Sequence, residues 1–327
     1  MNATRRSLLA LIPAAAAMPA GAPAQANDQP FDRWLAELRT EARGKGISAA
    51  TVQTALRSVT PIPRIIELDR RQPEGRLTWA QYRDRVVAEP RIGNGRRAYA
   101  ENRTLLGEVE QRFGVSARTI TAIWGIETNY GANTGGFPVV NALATLAYDG
   151  RRSAFFRGEL LSALRILDQG HITYPRMMGS WAGAMGQPQF MPGSFLSYAV
   201  DFDGDGRRDI WDSRADALGS IGNYLARAGS WRRGEPWGFE VRLPQGFAIS
   251  QADGRANRPL SAWASAGLRR VDGSALPRGE MAAAVTAPDG ADGQAFVLFA
   301  NAQAVRRYNN SIYYVLAVGL LSDLVGG

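Results

Sequence analysis

One glutamate in this sequence is placed to act as an acid. In the stretch ITAIWGIETNYG, residues 120–131, Ile120, Ile123 and Trp124 lie seven, four and three positions before Glu127, so on an α-helix all four share one face. A carboxyl group carried into an apolar wall loses hydration, which disfavours its charged form and lets it keep a proton toward neutral pH. Such a group can protonate a departing sugar oxygen while positive charge builds at an anomeric carbon, which is what breaking a glycosidic bond requires. The plainer expectation is a helix-end carboxylate that reaches water or pairs with an arginine. Against it, Thr128, Asn129, Tyr130 and Gly131 end the helix, and Gly135, Gly136 and Pro138 force a loop, which sets Glu127 at the edge of a cleft.

Composition removes the competing chemistries. With no cysteine and a single histidine, His171, there can be no disulfide, no cysteine nucleophile and no Cys/His zinc site. A serine triad would have to use His171, which sits in the Gly/Pro-flanked GHITYP and reads as a loop residue, with no Gly-x-Ser-x-Gly elbow elsewhere. Chemistry therefore rests on carboxylates, amides, hydroxyls or an oxygen-bound metal. Residues 1–26 read as a signal peptide: Arg5 and Arg6, an apolar run from Leu8 to Met18, and a small-x-small site at Ala24-Gln25-Ala26. TRRSLL resembles a twin-arginine signal, so a periplasmic location is expected, and the apolar run is short for a membrane span. Loss of those two arginines takes the formal charge from +8 to +6. A basic exported protein with scattered arginines and no nucleic-acid motif suits a carboxylate-bearing wall polymer better than nucleic acid.

Two further stretches carry information. SWAGAMGQPQFMPGS, residues 180–194, has too much Gly and Pro for an uninterrupted helix, and its apolar Met185, Phe190 and Met191 with the amides Gln187 and Gln189 suit a substrate-lining segment. DFDGDGRRDIWD, residues 201–212, places Asp201, Asp203 and Asp205 at positions 1, 3 and 5 of a calcium loop, Gly206 at the sharp turn and the Arg207 carbonyl at position 7. Position 12 is Asp212, shorter than the usual Glu, so Asp216 is a rival for the closing ligand. The calcium expected there is structural.

These stretches need a scaffold. The periodicity predicts two short helices between Phe31 and Val59, a break at Pro61 and Pro63, a polar segment from Trp79 to Pro90 in which Tyr82 could reach a groove, and one helix from Gly95 to Phe113 capped by Gly114. Ser116 is a fitting N-cap for the Glu127 helix. Helices follow at 141–148 and 153–169, the second with Phe155, Phe156, Leu160, Leu161, Leu164 and Leu167 facing the core, then one at 215–228 carrying Leu218, Ile221, Tyr224 and Leu225 on one face. Asp149 reads as a turn cap and Glu159 as solvent-facing, so no second acid is evident. From Gly234 to Ala295 short runs such as FEVRL, GFAIS and MAAAV suggest a small β-rich domain, and YNNSIYYVLAVGLLSDL a closing helix. The expected class is mainly α (α+β): 27–114 N-terminal helical region, 115–233 core with the calcium-type loop, 234–295 β-rich domain, 296–327 returning to the core.

GIETNYG around Glu127, GSWAGAMGQPQFMP from Gly179 to Pro192, YAVDFDGDGRRDIWD from Tyr198 to Asp212 and RYNNSIYY from Arg307 to Tyr314, in that order, resemble the lytic murein transglycosylase B family of exported bacterial cell-wall enzymes. The resemblance covers nearly all of the mature chain. It implies a lysozyme-like helical catalytic core and peptidoglycan glycan strands as substrate, with other cell-wall enzymes as potential partners. It further implies that Glu127 acts alone, as acid and then as base on the muramyl 6-hydroxyl, to leave a 1,6-anhydro sugar. Ser180 and Gln189 would hold the acetamide and sugar, Tyr224 would line the groove, Tyr308, Asn309 and Tyr314 would orient the sugar and Glu127, and Tyr82 would match a groove tyrosine. Gly193 stands where the family commonly has serine, and Gln187-Pro188 varies the central loop. Two alternatives stay open: a hydrolase pairing Glu127 with Asp149 or Glu159, and a peptidoglycan-binding scaffold with a dead site.

Overall fold

The computed structural model describes residues 29–71 and 77–326; the expected signal peptide, residues 1–26, lies outside them. The first helices are α1 (Phe31–Gly44), α2 (Ala49–Leu56), α3 (Pro63–Arg70), α4 (Trp79–Val86), α5 (Glu89–Glu101) and α6 (Arg103–Phe113). Polar side chains and prolines set their starts: Ser48 accepts the Thr51 N–H before α2, Pro63 opens α3, and Thr78 with Gln81 forms a capping box on α4. The single helix expected over 95–113 is two, meeting at Asn102. The Asn102 carboxamide donates to the Ala98 carbonyl at 2.7 Å, a local bond that competes with the helical ladder and ends α5 there.

Next come α7 (Ala117–Thr128), β1 (Phe137–Pro138), α8 (Val139–Tyr148), α9 (Ser153–Asp168), β2 (Met178–Gly179), α10 (Pro192–Tyr198) and α11 (Arg214–Arg227). Helix α7 is buried all round rather than on one face: every residue from Thr119 to Thr128 is inside, as befits the central helix of a bundle. Ser116 stands at its N-cap, but the hydroxyl makes no cap bond; the Glu110 carboxylate takes the Ala117 N–H instead, at 3.3 Å. On α9, Phe156, Leu160 and Leu164 face the core while Phe155 is 38% exposed, so the apolar stripe is narrower than the sequence suggests.

The β-rich part contains β3 (Gly238–Arg242), β4 (Arg258–Pro259), β5 (Arg269–Arg270), β6 (Ala282–Thr286) and β7 (Ala295–Leu298), with the short helix α12 (Leu260–Ser265). They form an antiparallel sheet in the order β4-β6-β7-β3-β5. GFAIS is no strand; Ile249–Gln251 makes one 3-10 turn. The central strand β7 is buried on both faces: Phe296 and Leu298 join the helical core, and Ala295 and Val297 the sheet's own core with Trp263 and Val285. The expected closing helix is α14 (Ile312–Val325), which starts four residues later than the sequence suggests; before it comes α13 (Ala300–Tyr308), and between them Asn309 is extended at φ −145°.

The sheet positions a helix of the site. Asp289, in the β6–β7 turn, accepts the backbone N–H groups of Trp79 and Ala80 at 2.7 and 2.9 Å, capping α4, and the Trp79 indole donates to Gln294 at 2.8 Å. That fixes Tyr82 one turn into α4.

Candidate active site

Glu127 is 6% exposed in the last turn of α7, where Asn129 reverses the chain in the left-handed region at φ 50°. Its Oε1 accepts the Tyr314 hydroxyl at 2.6 Å. Burial pushes the Glu127 carboxyl up to about 8, and the Tyr314 bond alone opposes this, so the group is mostly protonated at neutral pH. The plainer expectation fails, since Glu127 is buried and, among the described residues, pairs with no arginine.

Tyrosines surround it. Tyr314 and Tyr308 lie parallel, rings 6.5 Å apart at 7°, and the Tyr308 hydroxyl donates to the Pro188 carbonyl at 2.6 Å. Burial and the nearby Glu127 carboxyl hold both phenols far above their ordinary value. Tyr82 leans on Trp79 and Tyr313, and it too is raised by burial and then by Glu127. Glu127, Tyr314, Tyr308 and Tyr82 are thus brought together from four helices. Tyr224 belongs to the same aromatic group, 4.8 Å from the Tyr308 ring with its hydroxyl on the Arg307 carbonyl, and Phe190 packs against both rings, at 5.6 and 5.8 Å.

The polar candidates have structural bonds of their own. The Ser180 hydroxyl accepts the Ala184 N–H at 3.0 Å, leaving its proton to donate. Gln189, at φ 51°, donates to the Thr134 and Gly186 carbonyls at 3.1 and 2.9 Å, which leaves its Oε1 without a donor among the described residues. Asn309 accepts the Ser311 N–H at 3.1 Å and so shapes the turn before α14.

Neither proposed second acid joins this group. Asp149 pairs with Arg70 at 3.2 Å. Glu159 does not face solvent as expected: it accepts the Gly193 N–H at 2.7 Å at the start of α10, and burial raises its carboxyl. A side chain at Gly193 would press on that carboxylate, its Cβ 3.1 Å from Glu159 Oε1.

In the acidic loop, Asp201, Asp203 and Asp205 bring carboxylate oxygens within 4.8 Å of one another, and Gly206 takes the turn at φ 88°. The Arg207 guanidinium pairs with Asp205 at 2.9 Å and backbone N–H groups donate to Asp201; the three converging carboxylates are oxygen ligands that fit a hard divalent ion. Neither rival for the closing ligand is in that cluster. Asp212 is exposed and ion-paired to Arg176; Asp216 is fully buried and accepts the N–H groups of Phe202 and Asp209 at 2.7 and 2.6 Å, tying the loop's two ends together. His171 is a loop residue as expected, though buried, its Nδ1 accepting the Arg208 N–H at 3.2 Å.

Residues 30–323 match the family model described as Transglycosylase SLT domain. The chain belongs to this family. Among SLT-domain proteins, membrane-bound lytic murein transglycosylase B of Escherichia coli (strain K12) is 33% identical over 253 residues, 76% of this chain and 67% of that protein. The crystal structure of SltB3 from Pseudomonas aeruginosa in complex with NAG-anhNAM-pentapeptide superposes with a TM-score of 0.88 at 45% identity, over 91% of this chain and 80% of that one. Escherichia coli Slt35 in complex with calcium gives 0.76 at 29% identity, over 91% and 93%. The lysozyme-like helical core with a small curled sheet, implied by the sequence motifs, is the fold these SLT-domain structures share.

Arg91, Tyr130 and Trp124 also build the site. Arg91 donates to the Gly125 carbonyl at 3.2 Å and to that of Val86, and its own carbonyl accepts Tyr130 at 2.9 Å, which braces α5 against the last turn of α7. Gly125 is the one local signal for this, because a Cβ there would overlap the Tyr130 ring.

Proposed function

We propose that the protein is a peptidoglycan lytic transglycosylase that cleaves the bond between N-acetylmuramic acid and N-acetylglucosamine without water, with Glu127 as acid and then base. The observation that carries this is a buried carboxyl, raised to about 8 and held by Tyr314, with neither Asp149 nor Glu159 beside it. The protonated carboxyl gives its proton to the leaving glycosidic oxygen as the anomeric C–O bond breaks. The carboxylate so formed, which Tyr314 stabilises by donating to it, takes the proton of the muramyl 6-hydroxyl as that oxygen bonds to the anomeric carbon. Glu127 ends protonated, the sugar ends as a 1,6-anhydro ring, and no water needs a general base. The substrate's acetamido group stabilises the anomeric centre between the two events, as the family resemblance implies. SltB3, with its anhydro-sugar peptide ligand, supports the same product here.

In this reading Gln189 Oε1 and the Ser180 proton meet the acetamide and sugar, Tyr224, Tyr308, Phe190 and Tyr82 line the groove, and Asn309 sets the turn that delivers Tyr314. Asp201, Asp203, Asp205 and the Arg207 carbonyl would hold calcium, which supplies charge neutralisation to the loop and no chemistry to the reaction. We assign the regions as 27–114, 115–233, 234–295 and 296–327 and place the mature protein in the periplasm; no described helix is long and apolar enough to cross a membrane. Mass spectrometry of purified peptidoglycan digested by the mature protein tests the reading. Muropeptides one water lighter than hydrolysis products, and absent with Glu127→Gln, are expected; reducing-end products would overturn it.

A further inference from the structure

We propose that Gln187 is a positioning residue that holds the turn carrying Glu127 in register, an inference that rests on Glu127 being the acid. Residues 185–190 form a tight hairpin in which Met185 and Phe190 exchange both backbone bonds, at 2.8 and 3.1 Å. Its tip points into the protein. The Gln187 Oε1 accepts the Trp124 indole N–H at 2.9 Å, and its Nε2 donates to the Trp211 carbonyl at 3.1 Å. Its backbone N–H donates to the Ile210 carbonyl at 2.9 Å, and its carbonyl accepts the Thr128 hydroxyl at 3.0 Å.

All four bonds run to two segments, the catalytic end of α7 and the far end of the acidic loop. Trp124 and Thr128 flank Glu127, and Gly131 closes over the amide from the other side: a Cβ there would stand 2.8 Å from Gln187 Oε1. The anchor acts through donors on α7, the Trp124 indole N–H and the Thr128 hydroxyl, while the carbonyls of Trp124, Gly125 and Thr128 take the backbone N–H groups of Tyr130, Asn129 and Asn133. An apolar residue of equal size would fill the space and leave the indole N–H and the Trp211 carbonyl buried without partners. Gln187 never meets the carboxyl itself; it acts through Trp124 and Thr128.

The test uses Gln187→Met, Trp124→Phe and the double variant in the mature protein, with turnover on purified glycan strands. Gln187→Met keeps the length of the side chain and removes both polar groups. The expected result is a cooperatively folded protein whose KM stays within about twofold while kcat falls at least tenfold. Trp124→Phe, which removes the indole N–H together with part of the ring, is expected to lose kcat similarly, so the inference does not depend on Gln187→Met folding. In the Trp124→Phe background the further effect of Gln187→Met should be under threefold, because two residues acting through one contact are not additive. A wild-type kcat in Gln187→Met beside an inactive Glu127→Gln, or losses that multiply in the double variant, would overturn the inference. Retained activity in Glu127→Gln would instead overturn the reading of Glu127.

Discussion

Replacing Glu127 by glutamine is expected to stabilise the protein, and only where the carboxyl would otherwise ionise. Burial raises the Glu127 carboxyl from its ordinary 4.5 to about 8 in the folded state, so between those values the folded protein binds a proton that the unfolded chain has released. Folding stability therefore falls as pH rises through that window and levels off above it. At about 1.4 kcal/mol for each unit of difference, the cost reaches about 3 kcal/mol at pH 7 and is below about 1 kcal/mol at pH 5. Glutamine keeps an acceptor for the Tyr314 hydroxyl and carries no charge, so it removes this cost without opening a cavity. Urea unfolding of both proteins at pH 5 and pH 7 measures it: the variant should match the native protein at the lower pH and exceed it by several tenths of a molar in midpoint or more at the higher. A gap of equal size at both pH values, or a variant less stable at pH 7, would show that Glu127 is not carried neutral into the core.

Tyr314→Phe deletes the one bond that favours the Glu127 carboxylate, so the alkaline limb of kcat/KM should move upward by about one pH unit, a shift consistent with the worth of a hydrogen bond to a charged group; a pH–rate profile decides it. Gly125→Ala puts a methyl into the Tyr130 ring and should cost about 1–3 kcal/mol by overpacking, seen as a lower Tm with reduced activity. Millimolar calcium should raise the Tm of the native protein, by about 2.7 kcal/mol of stability at a hundredfold excess over Kd, and should leave an Asp203→Asn, Asp205→Asn variant unmoved.

Local signals in the sequence were enough for Glu127, the acidic loop and most helices, because a periodic apolar face or a cluster of turn residues is written in consecutive positions. Longer-range outcomes were not. Nothing near Asn102 marks it as the break between α5 and α6, since its carboxamide matters through a bond to Ala98 and another to Arg214. The boundary expected after Ala295 cuts through β7 (Ala295–Leu298), because a strand buried on both faces has no alternation to read. Glu159 took its inward place from a backbone N–H of Gly193, 34 residues on. Tyr314 could be assigned to Glu127 only through family resemblance, because the two lie 187 residues apart. Gln187 was visible as an amide in an unusual loop, but its partners Trp124 and Trp211 belong to elements the sequence gives no reason to join.

That separation between Glu127 and Tyr314 sets an order of events. A chain made from its N-terminus completes α7 long before α13 and α14 exist, so the acid is present early without the two tyrosines that steady and enclose it. An unfinished or prematurely cut chain that stops short of Tyr308 holds the motif around Glu127 and yet cannot assemble the site. For a protein whose substrate is the wall that keeps the cell intact, competence then arrives only when α14 has packed against α7 and, with α13, brought Tyr314 and Tyr308 to Glu127.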